Sequence, residues 1–291
     1  MNFKVSIQEV KTVGIAGAGT MGQGIAQVCV VAGFDVLLYD VQSEFILKGI
    51  SLIEKSLSTA VERGKIQSAE KERALARIKA QPDLQQLKAD LIIEAAIENL
   101  DVKKKLFTTL EEINSQHCIL TTNTSSIPVT QIAAALKHPE RFAGLHFFNP
   151  APIMKLVEII SGAGTNNATV ELLKQFSEKL GKTAVLAKDS PGFIVNRVAR
   201  HYYVEALRLL EENVSDINTI DSLMKSAGFK MGPFELMDLI GVDTNFSVTT
   251  SIYHAFHQEP KFRPSRIQQQ KVDAGHHGRK SGKGFYDYTK K

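Results

Sequence analysis

The chain has 291 residues, of which 43% are hydrophobic and 23% charged, and its formal net charge is +4. This length suits one large domain or two ordinary ones, and the composition is that of a globular protein with a sizeable core. A disordered chain is therefore excluded, and the longest apolar stretches are far shorter than the ~20 residues of a membrane-spanning helix.

The charge and the cysteines limit the partners and the compartment. The last thirty residues carry much of the basic excess, up to Lys290 and Lys291, which is typical of a solvated tail or of a contact with an anionic ligand. No RNA- or DNA-reading module is found, so we expect no nucleic-acid partner. Because the apolar stretches are short, we also expect no membrane partner. Cys29 and Cys118 each lie in an apolar stretch, and the N-terminus resembles neither a signal nor a transit peptide. We therefore expect a cytoplasmic protein without disulfides.

Short β-branched runs alternate with helical patterns through the first two-thirds of the chain. The runs predict five buried strands, at residues 12–16, 36–39, 91–95, 118–122 and 142–148. The helical patterns between them lie at residues 20–32, 43–63 and 102–113. Alternation of strand and helix is typical of crossover units, so we predict an α/β fold with a mostly parallel sheet and helices on both of its faces.

The pattern changes after two further strands, predicted at residues 155–161 and 183–187 around a helix at 169–180. In the sequence Asp189-Ser190-Pro191-Gly192, Ser190 can cap a helix and Pro191 fits its first turn. Helical patterns then continue at residues 217–227, 233–240 and 243–256, without a comparable strand. We therefore predict a boundary at residue 188, with the α/β domain at residues 1–188 and a smaller all-helical domain at residues 189–291.

The first predicted strand ends in a glycine-rich loop, Gly17-Ala18-Gly19-Thr20-Met21-Gly22, and a helix follows. Gly17 permits a tight turn, Gly19 lets backbone N–H groups approach a pyrophosphate, and Gly22 lets the helix pack closely on the strand. The helix N-terminus adds unpaired N–H donors and its dipole. The predicted contacts of this loop with a dinucleotide are Gly17, Gly19, Thr20, Met21 and Gly22.

An acid stands where a dinucleotide-binding fold needs one. Asp40 follows the second predicted strand, eighteen residues after Gly22. A carboxylate at this position accepts the ribose hydroxyls of an adenosine and repels a 2′-phosphate, which favours NAD over NADP. The alternative is that the glycines only make a turn and Asp40 only ends a strand. The order of strand, loop, helix, strand and acid instead favours a Rossmann-type NAD-binding domain.

A histidine and an acid occupy apolar surroundings on neighbouring predicted strands. His146 lies among aromatic residues near the end of one strand, and Glu158 lies within the apolar run Leu156-Val157-Glu158-Ile159-Ile160. A lone histidine there is usually a core residue, but a buried acid is costly unless it is paired. Glu158 paired with His146 would fix the imidazole tautomer and leave the other ring nitrogen to take a proton from a substrate.

Two further polar residues are candidates for a catalytic site. Ser125 follows a strand whose carboxyl end opens onto the predicted cofactor crevice, and Asn196 lies in the first turns of the long helix. Either one could instead be a cap or a local backbone partner. No histidine has a carboxylate or cysteine cluster with metal-ligand spacing beside it, so we predict no metal.

Six ordered motifs, from about Thr12 to Tyr286, resemble the L-3-hydroxyacyl-CoA dehydrogenase family, and in particular its short bacterial 3-hydroxybutyryl-CoA members. The motifs are Gly17-Ala18-Gly19-Thr20-Met21-Gly22-Gln23-Gly24-Ile25-Ala26, Ala96-Ile97-Glu98-Asn99-Leu100, Thr122-Asn123-Thr124-Ser125-Ser126, His146-Phe147-Phe148-Asn149-Pro150, Pro191-Gly192-Phe193-Ile194-Val195-Asn196-Arg197 and Gly232-Pro233-Phe234-Glu235.

The resemblance implies a two-domain enzyme, often a dimer through its helical domain, that interconverts 3-hydroxyacyl-CoA and 3-oxoacyl-CoA with NAD. By resemblance, His146 is the general base, Glu158 is its partner, and Ser125 and Asn196 hold the reacting oxygen and the thioester. The residues that would contact NAD are Asp40, Glu98, Lys103, Ser125, Asn149 and Lys280. The match is loosest at the CoA-contacting helix, where the candidates are Lys48, Ser51 and Lys55, which are also what any solvated helix face carries.

Several related functions stay open at this point. One is a related NAD-dependent β-hydroxyacid or sugar-acid dehydrogenase, although the His146–Glu158 pair and Asn196 favour the acyl-CoA substrate. Another is a 3-hydroxyadipyl-CoA-type dehydrogenase of aromatic-acid breakdown. A nucleotide-binding scaffold without catalysis and a module of a larger oxidation complex are the remaining alternatives. A short acyl chain is favoured, whereas the direction and the pathway are not determined by the sequence.

Overall fold

The computed structural model describes residues 6–289. Two compact units divide between Ser190 and Pro191, two residues after the boundary that the sequence predicts. Lys290 and Lys291 of the basic tail lie outside the described residues, as do the first five residues of the N-terminal stretch.

One eight-stranded sheet forms the centre of the first unit, in the order β3-β2-β1-β4-β5-β6-β7-β8. Neighbouring strands are parallel except for β6 and β7, which are antiparallel. The strands are β1 (Thr12–Ala16), β2 (Asp35–Tyr39), β3 (Ile78–Ala80), β4 (Leu91–Glu94), β5 (Ile119–Thr122), β6 (Phe142–Phe147), β7 (Leu156–Ser161) and β8 (Thr183–Lys188). The predicted α/β fold class is confirmed, and β3 is the strand that the sequence does not predict, because only the first of its three residues is buried.

Six helices connect these strands: α1 (Thr20–Val31), α2 (Ser43–Glu62), α3 (Ser68–Leu75), α4 (Leu100–Ile113), α5 (Val129–Ala133) and α6 (Asn167–Lys179). The strand order reverses direction between β1 and β4. Because crossovers between parallel strands are right-handed, this reversal places α1, α2 and α3 on one face and α4 and α5 on the other. Helix α6 follows the antiparallel pair β6–β7 and packs on the face of α1. In agreement, α1 packs against α2 and α3, whereas α4 packs against α5.

The core of the first unit lies between the sheet and its helices. Strands β1 and β4 are almost completely buried, which is why they appear in the sequence as continuous apolar runs rather than alternating ones. On one face, the rings of Phe34 and Phe176 contact each other, and on the other face Phe107 packs edge-on against Phe142. A sheet that is covered on both faces leaves only its edges for ligands.

The second unit is helical, as predicted, and contains α7 (Val195–Glu211), α8 (Ile217–Ser226), α9 (Pro233–Ile240), α10 (Val242–Ala255) and α11 (Arg266–Asp273). Its core comprises Tyr203, Ala206, Leu207, Ile220, Phe234, Met237, Val242 and Phe285. Two buried acids organise this unit through backbone N–H donors: Asp221 accepts from Phe234 and Glu235, and Asp238 accepts from Phe285 and Tyr286.

The predicted start of the long helix is wrong. Helix α7 begins at Val195 with Ile194 as its N-cap, so Ser190 does not cap it and Pro191 is not in its first turn. The cause is the backbone of the two intervening residues, since Gly192 has a φ of 74° and Phe193 a φ of 49°. These left-handed angles are incompatible with a right-handed helix and delay its start.

Candidate active site

The loops that carry most of the predicted site residues follow strands that end at one edge of the sheet. Strands β2, β1, β4, β5 and β6 are parallel neighbours, so their carboxyl ends lie side by side. In α/β sheets this edge, at the point where the strand order reverses, is where ligands bind. We call this the carboxyl edge. Its loops contain Asp40, residues 17–22, Glu98, residues 122–126 and Asn149.

The glycine loop (residues 17–22) has the backbone that the sequence predicts. Gly17 has a φ of 116°, and a Cβ there would lie 2.5 Å from the carbonyl oxygen of Ala95. A Cβ on Gly22 would overlap the carbonyl oxygen of Gly17, whereas a Cβ on Gly19 would meet nothing within 4 Å. The packing of the protein therefore requires glycine at residues 17 and 22. At Gly19 no atom of the described residues fills the space that a side chain would take.

Asp40 is tied to the glycine loop through the backbone. Its Oδ2 accepts a hydrogen bond from the N–H of Ala18 at 2.8 Å, and the N–H of Gly17 donates to the carbonyl of Tyr39 at 2.8 Å. The carboxylate therefore lies beside the loop, and its contact with the adenosine of a dinucleotide stays a prediction. It adds negative charge at this position, which opposes the binding of a 2′-phosphate.

The structure brings His146 and Glu158 together. They are directly opposite each other in the antiparallel pair β6–β7, and Nδ1 of His146 lies 2.8 Å from Oε2 of Glu158. The His146 side chain is buried and Glu158 is 0% exposed. An ionised carboxylate only accepts hydrogen bonds, so an imidazole that faces it donates through Nδ1. The ring of Phe148 packs against the imidazole with the centroids 4.6 Å apart.

Asn123 is a site residue that the sequence analysis missed. Its side-chain Oδ1 accepts from the backbone N–H of Phe147 at 2.8 Å, and its own N–H donates to the carbonyl of Glu94 at 2.7 Å. Asn123 therefore links the ends of β4, β5 and β6, beside His146. Its place in the motif at residues 122–126 was the available signal, but a sequence does not reveal which strand end an amide reaches.

Glu98 accepts hydrogen bonds from three residues of the loop that contains Ser125. Its Oε1 accepts from the hydroxyl of Thr124 at 2.6 Å, from the N–H of Ser125 at 3.0 Å, and from both the N–H and the hydroxyl of Ser126. Burial raises the pKa of the Glu98 carboxyl, but the charge of Lys103 and these donors lower it, and the net shift is downward. Glu98 is therefore ionised at neutral pH and holds the backbone of Ser125 in place.

Lys103 is buried, whereas the resemblance implies that it contacts NAD. Its side chain is 1% exposed, and its Nζ lies 2.5 Å from Oε1 of Glu94 and 3.4 Å from Oε2 of Glu98. The structure thus places Lys103 beneath Glu98 in a buried ion pair with Glu94. Direct contact between Lys103 and NAD stays a prediction, while its contacts with the two glutamates are present.

The remaining predicted site residues lie on several different elements of the two units. Asn149 is exposed after β6, and Lys48, Ser51 and Lys55 are exposed along α2. In the second unit, Asn196 lies in the first turn of α7, and Nζ of Lys280 lies 2.7 Å from Oδ1 of Asp243. These positions leave their contacts with NAD, CoA or the acyl group as predictions.

The residues at the carboxyl edge fit a dinucleotide. The N-terminus of α1 has Gly19 as its N-cap and no side-chain cap, so its backbone N–H groups are available to a pyrophosphate. The open space at Gly19 permits the close approach that such a ligand needs, and Asp40 lies beside the loop, where its contact with the ribose stays a prediction. The same edge presents His146 with its buried acid. Fold and site together define a dinucleotide-binding dehydrogenase domain followed by a helical domain.

Comparison with known proteins identifies the family. Residues 12–190 match the model of the 3-hydroxyacyl-CoA dehydrogenase NAD-binding domain, and residues 192–288 match that of the 3-hydroxyacyl-CoA dehydrogenase C-terminal domain. The chain belongs to the 3-hydroxyacyl-CoA dehydrogenase family, as the sequence motifs predict, and its first unit is the NAD-binding domain of that family.

Individual relatives cover nearly the whole chain. It is 52% identical to the 3-hydroxyadipyl-CoA dehydrogenase of Escherichia coli (strain K12), over 96% of this chain but 59% of that protein. It is 43% identical to the 3-hydroxybutyryl-CoA dehydrogenase of Bradyrhizobium diazoefficiens, over 96% of each chain. The crystal structure of (S)-3-hydroxybutyryl-CoA dehydrogenase from Ralstonia eutropha has a TM-score of 0.93 and 41% identity, covering 97% of this chain and all of that one. Among residues 6–289, no helix is long and apolar enough to cross a membrane.

Proposed function

We propose that this protein oxidises short-chain (S)-3-hydroxyacyl-CoA to 3-oxoacyl-CoA, and catalyses the reverse reduction, with NAD as the hydride carrier. The observation that carries the proposal is the 2.8 Å contact between His146 and the buried Glu158, on strands that reach the same sheet edge as the glycine loop. A base supported by a buried acid beside a dinucleotide site is the arrangement that alcohol oxidation requires.

In this reaction His146 transfers the proton and Glu158 supports it. Nε2 of His146 takes the proton of the 3-hydroxyl group, and Glu158 stabilises the imidazolium that results. NAD, when bound, accepts the hydride from the 3-carbon. In the reductive direction, the imidazolium returns the proton to the 3-oxo oxygen. Burial of both side chains excludes water from the pair and keeps the ring in one orientation.

Ser125 and Asn196 are the proposed polar contacts of the substrate. Glu98 accepts from the backbone N–H of Ser125, which holds this part of the loop before substrate arrives. Asn196 is held by the first turn of α7. We assign these two residues to the reacting oxygen and the thioester, and Asn149 and Lys280 to NAD, by their resemblance to the family motifs.

The variant His146→Gln tests the base. We expect kcat to fall by about 10²–10⁴-fold, because the acid–base group is lost, while the Kd for NADH stays within about twofold. Glu158→Gln keeps the shape and removes the charge, and should lower kcat by about 10²-fold. The matched control is His138→Gln, since His138 also pairs with an acid, Glu140, but is exposed. Wild-type kcat in His146→Gln would refute the assignment.

The identity of the acyl group that the substrate carries is a separate question. The relatives at 43% identity and the Ralstonia eutropha structure act on 3-hydroxybutyryl-CoA by name, which supports a short chain. The 52% identity to a 3-hydroxyadipyl-CoA dehydrogenase supports an ω-carboxylated substrate as the second candidate. A rate series at a fixed NADH concentration with acetoacetyl-CoA, 3-oxohexanoyl-CoA and 3-oxoadipyl-CoA separates them. The highest kcat/KM should belong to acetoacetyl-CoA, and a clear preference for 3-oxoadipyl-CoA would establish the alternative.

Three further assignments accompany this function. CoA phosphates are the proposed ligands of Lys48, Ser51 and Lys55, which are exposed on α2. The helical unit is the proposed homodimer interface, because Val198, Leu223 and Phe229 are at least half exposed there. Size-exclusion chromatography with light scattering tests the dimer, which should have twice the 32.0 kDa mass of the chain. The two buried free cysteines support a reducing, cytoplasmic location.

A further inference from the structure

A buried acid that the proposed mechanism does not use lies beneath the carboxyl edge. Glu94 is the last residue of β4 and is 0% exposed. An isolated carboxylate in such a place is costly, so its partners show what it holds. Oε1 of Glu94 accepts from Nζ of Lys103 at 2.5 Å and from the N–H of Ala96 at 2.7 Å. Oε2 accepts from the hydroxyl of Thr122 at 2.6 Å.

These partners connect Glu94 to two loops of the site. Through Lys103 it reaches Glu98, whose Oε2 lies 3.4 Å from the ammonium and whose Oε1 holds residues 124–126. Through Thr122 it reaches the end of β5, and its own carbonyl accepts from the N–H of Asn123. Asn123 in turn holds the backbone of Phe147, next to His146. Glu94 therefore lies between the Ser125 loop, which its side chain reaches, and the His146 strand, which its backbone carbonyl reaches through Asn123.

The two carboxylates at this junction compensate the charge of the buried Lys103 ammonium. One ammonium lies between two carboxylates, with the shorter contact to Glu94 and the longer one to Glu98. Glu94 therefore balances the pull of Lys103 on Glu98, and Glu98 is left to accept the donors of residues 124–126. Without the charge of Glu94, we expect the ammonium to move toward Glu98 and draw it away from the loop.

We propose that Glu94 is a positioning residue for the nicotinamide half of the cofactor site, acting through Lys103 and Thr122 on Glu98 and the Ser125 loop. The proposal rests on the proposed NAD-dependent function. The proposed ligands of the adenosine half are different groups, the glycine loop and Asp40. The hydrogen bonds of the Glu94 carboxylate go to Lys103, Ala96 and Thr122, none of which belongs to those groups. The two halves of the dinucleotide should therefore respond differently to a change at Glu94.

The variant Glu94→Gln tests this with two ligands. We expect the Kd for NADH, measured by fluorescence, to rise about tenfold, the effect of weakening one charge-assisted hydrogen-bond set. The Kd for ADP, which reaches only the glycine loop and Asp40, should stay within about twofold. The matched control is Glu112→Gln, because Glu112 is also a glutamate paired with a lysine, but its ion pair with Lys137 at 4.0 Å is exposed. The control should change neither constant.

Hydrogen exchange provides a readout that needs no cofactor. The N–H groups of Ser125 and Ser126 donate to Glu98, so their exchange should become faster in Glu94→Gln without ligand, while exchange in β1 is unchanged. Thr122→Val keeps the Glu94–Lys103 pair and removes the donor to Oε2 of Glu94 together with the acceptor of the Thr124 N–H. It should shift both readouts in the same direction by about two- to threefold. This variant tests the proposal if Glu94→Gln fails to fold.

The outcomes are separable. An equal loss of NADH and ADP binding in Glu94→Gln would show a general structural role and would overturn the proposal, as would unchanged exchange at Ser125 and Ser126. If wild-type protein bound ADP but not NADH, the proposed function would fail, whereas the exchange rates would still decide whether Glu94 positions the loop.

Discussion

The carboxylates at the carboxyl edge differ in the donors that surround them, and the donors define what each acid does. Glu158 faces the ring nitrogen of His146, which makes it the partner of the base. Glu94 faces an ammonium and a hydroxyl, and Glu98 faces three residues of one loop. A buried ionised group needs partners to remain charged, and Glu158 and Glu94 have theirs in these donors. Glu98 is more exposed and holds several donors of one loop.

At Glu98 the lowered pKa predicts a pH-dependent stability. A carboxyl whose folded-state pKa lies below the ordinary value of 4.5 stabilises the fold above that value and loses this contribution as the pH falls through the folded pKa. The wild type should therefore be more stable than Glu98→Gln at pH 7, and the difference should shrink below about pH 5. Urea unfolding at pH 7, 5 and 4 measures it, and a difference independent of pH would contradict the prediction.

Asp40 predicts the choice between NAD and NADP. Asp40→Asn keeps an oxygen that can accept from the N–H of Ala18 but removes the negative charge. The ratio of kcat/KM for NAD to that for NADP should fall by about tenfold or more, since a like charge no longer opposes the 2′-phosphate. Steady-state kinetics with both cofactors measure the ratio, and an unaltered value would remove Asp40 from the ribose contact.

At the scale of elements, the glycine loop joins β1 to α1 with little room for side chains. Gly17 and Gly22 are close to backbone atoms, so the protein fold requires them. Gly19 is the N-cap of α1 with a φ of −67°, an angle that any residue adopts, and nothing lies beside it. The loop therefore contains glycines of two kinds, two that the fold needs and one that a ligand needs.

Alanine at these positions should separate folding from binding. Gly22→Ala places a Cβ on the carbonyl of Gly17, so the free energy of unfolding should drop by about 1–3 kcal/mol. Gly19→Ala should change it by less than about 1 kcal/mol but raise the Kd for NADH at least about tenfold, because a methyl group occupies the pyrophosphate position. Chemical denaturation and NADH titration of both variants test this. Unimpaired NADH binding in Gly19→Ala would contradict the position of the pyrophosphate.

Strand pairing is the second element-scale feature of the site. The antiparallel pairing of β6 with β7 is the exception in a sheet that is otherwise parallel, and it sets His146 opposite Glu158. In antiparallel pairs, side chains of opposite residues lie on the same face and in contact. A shift of one residue in this register would move one member of the pair to the other face of the sheet.

On the scale of the whole molecule, the protein comprises two compact units that meet in sequence between Ser190 and Pro191. Each has its own apolar core, and the family models divide at the same place, at residues 12–190 and 192–288. The glycine loop, Asp40, His146 and Glu158 all belong to the first unit. The groups proposed to bind NAD therefore lie mainly in one unit.

Ligand binding to the first unit predicts a thermal shift. NADH at a hundred times its Kd should stabilise the folded state by about 2.7 kcal/mol, because it binds the native chain and not the unfolded one. Scanning calorimetry with and without NADH should show the transition of the first unit moving to a higher temperature. NADPH at the same concentration is the control and should cause a smaller shift, since Asp40 opposes its 2′-phosphate. Equal shifts would argue against NAD selectivity.

The sequence by itself determined the α/β class, the helical second unit, the glycine loop with Asp40, and the candidate pair His146 and Glu158. These features follow from local rules: apolar runs make buried strands, glycine permits a φ of 116° at residue 17, and an acid within an apolar strand needs a partner. The start of α7 was mispredicted because left-handed angles at Gly192 and Phe193 are not visible in a helical pattern.

Only the tertiary structure decided which distant groups meet. It placed Lys103 between Glu94 and Glu98, the amide of Asn123 on the backbone of Phe147, and the N–H of Ala18 on Asp40. The physical reason is that these contacts depend on strand order and register, which bring together residues far apart in the chain. Residue type shows that a buried charge needs a partner, whereas the packing of the sheet determines which partner it finds.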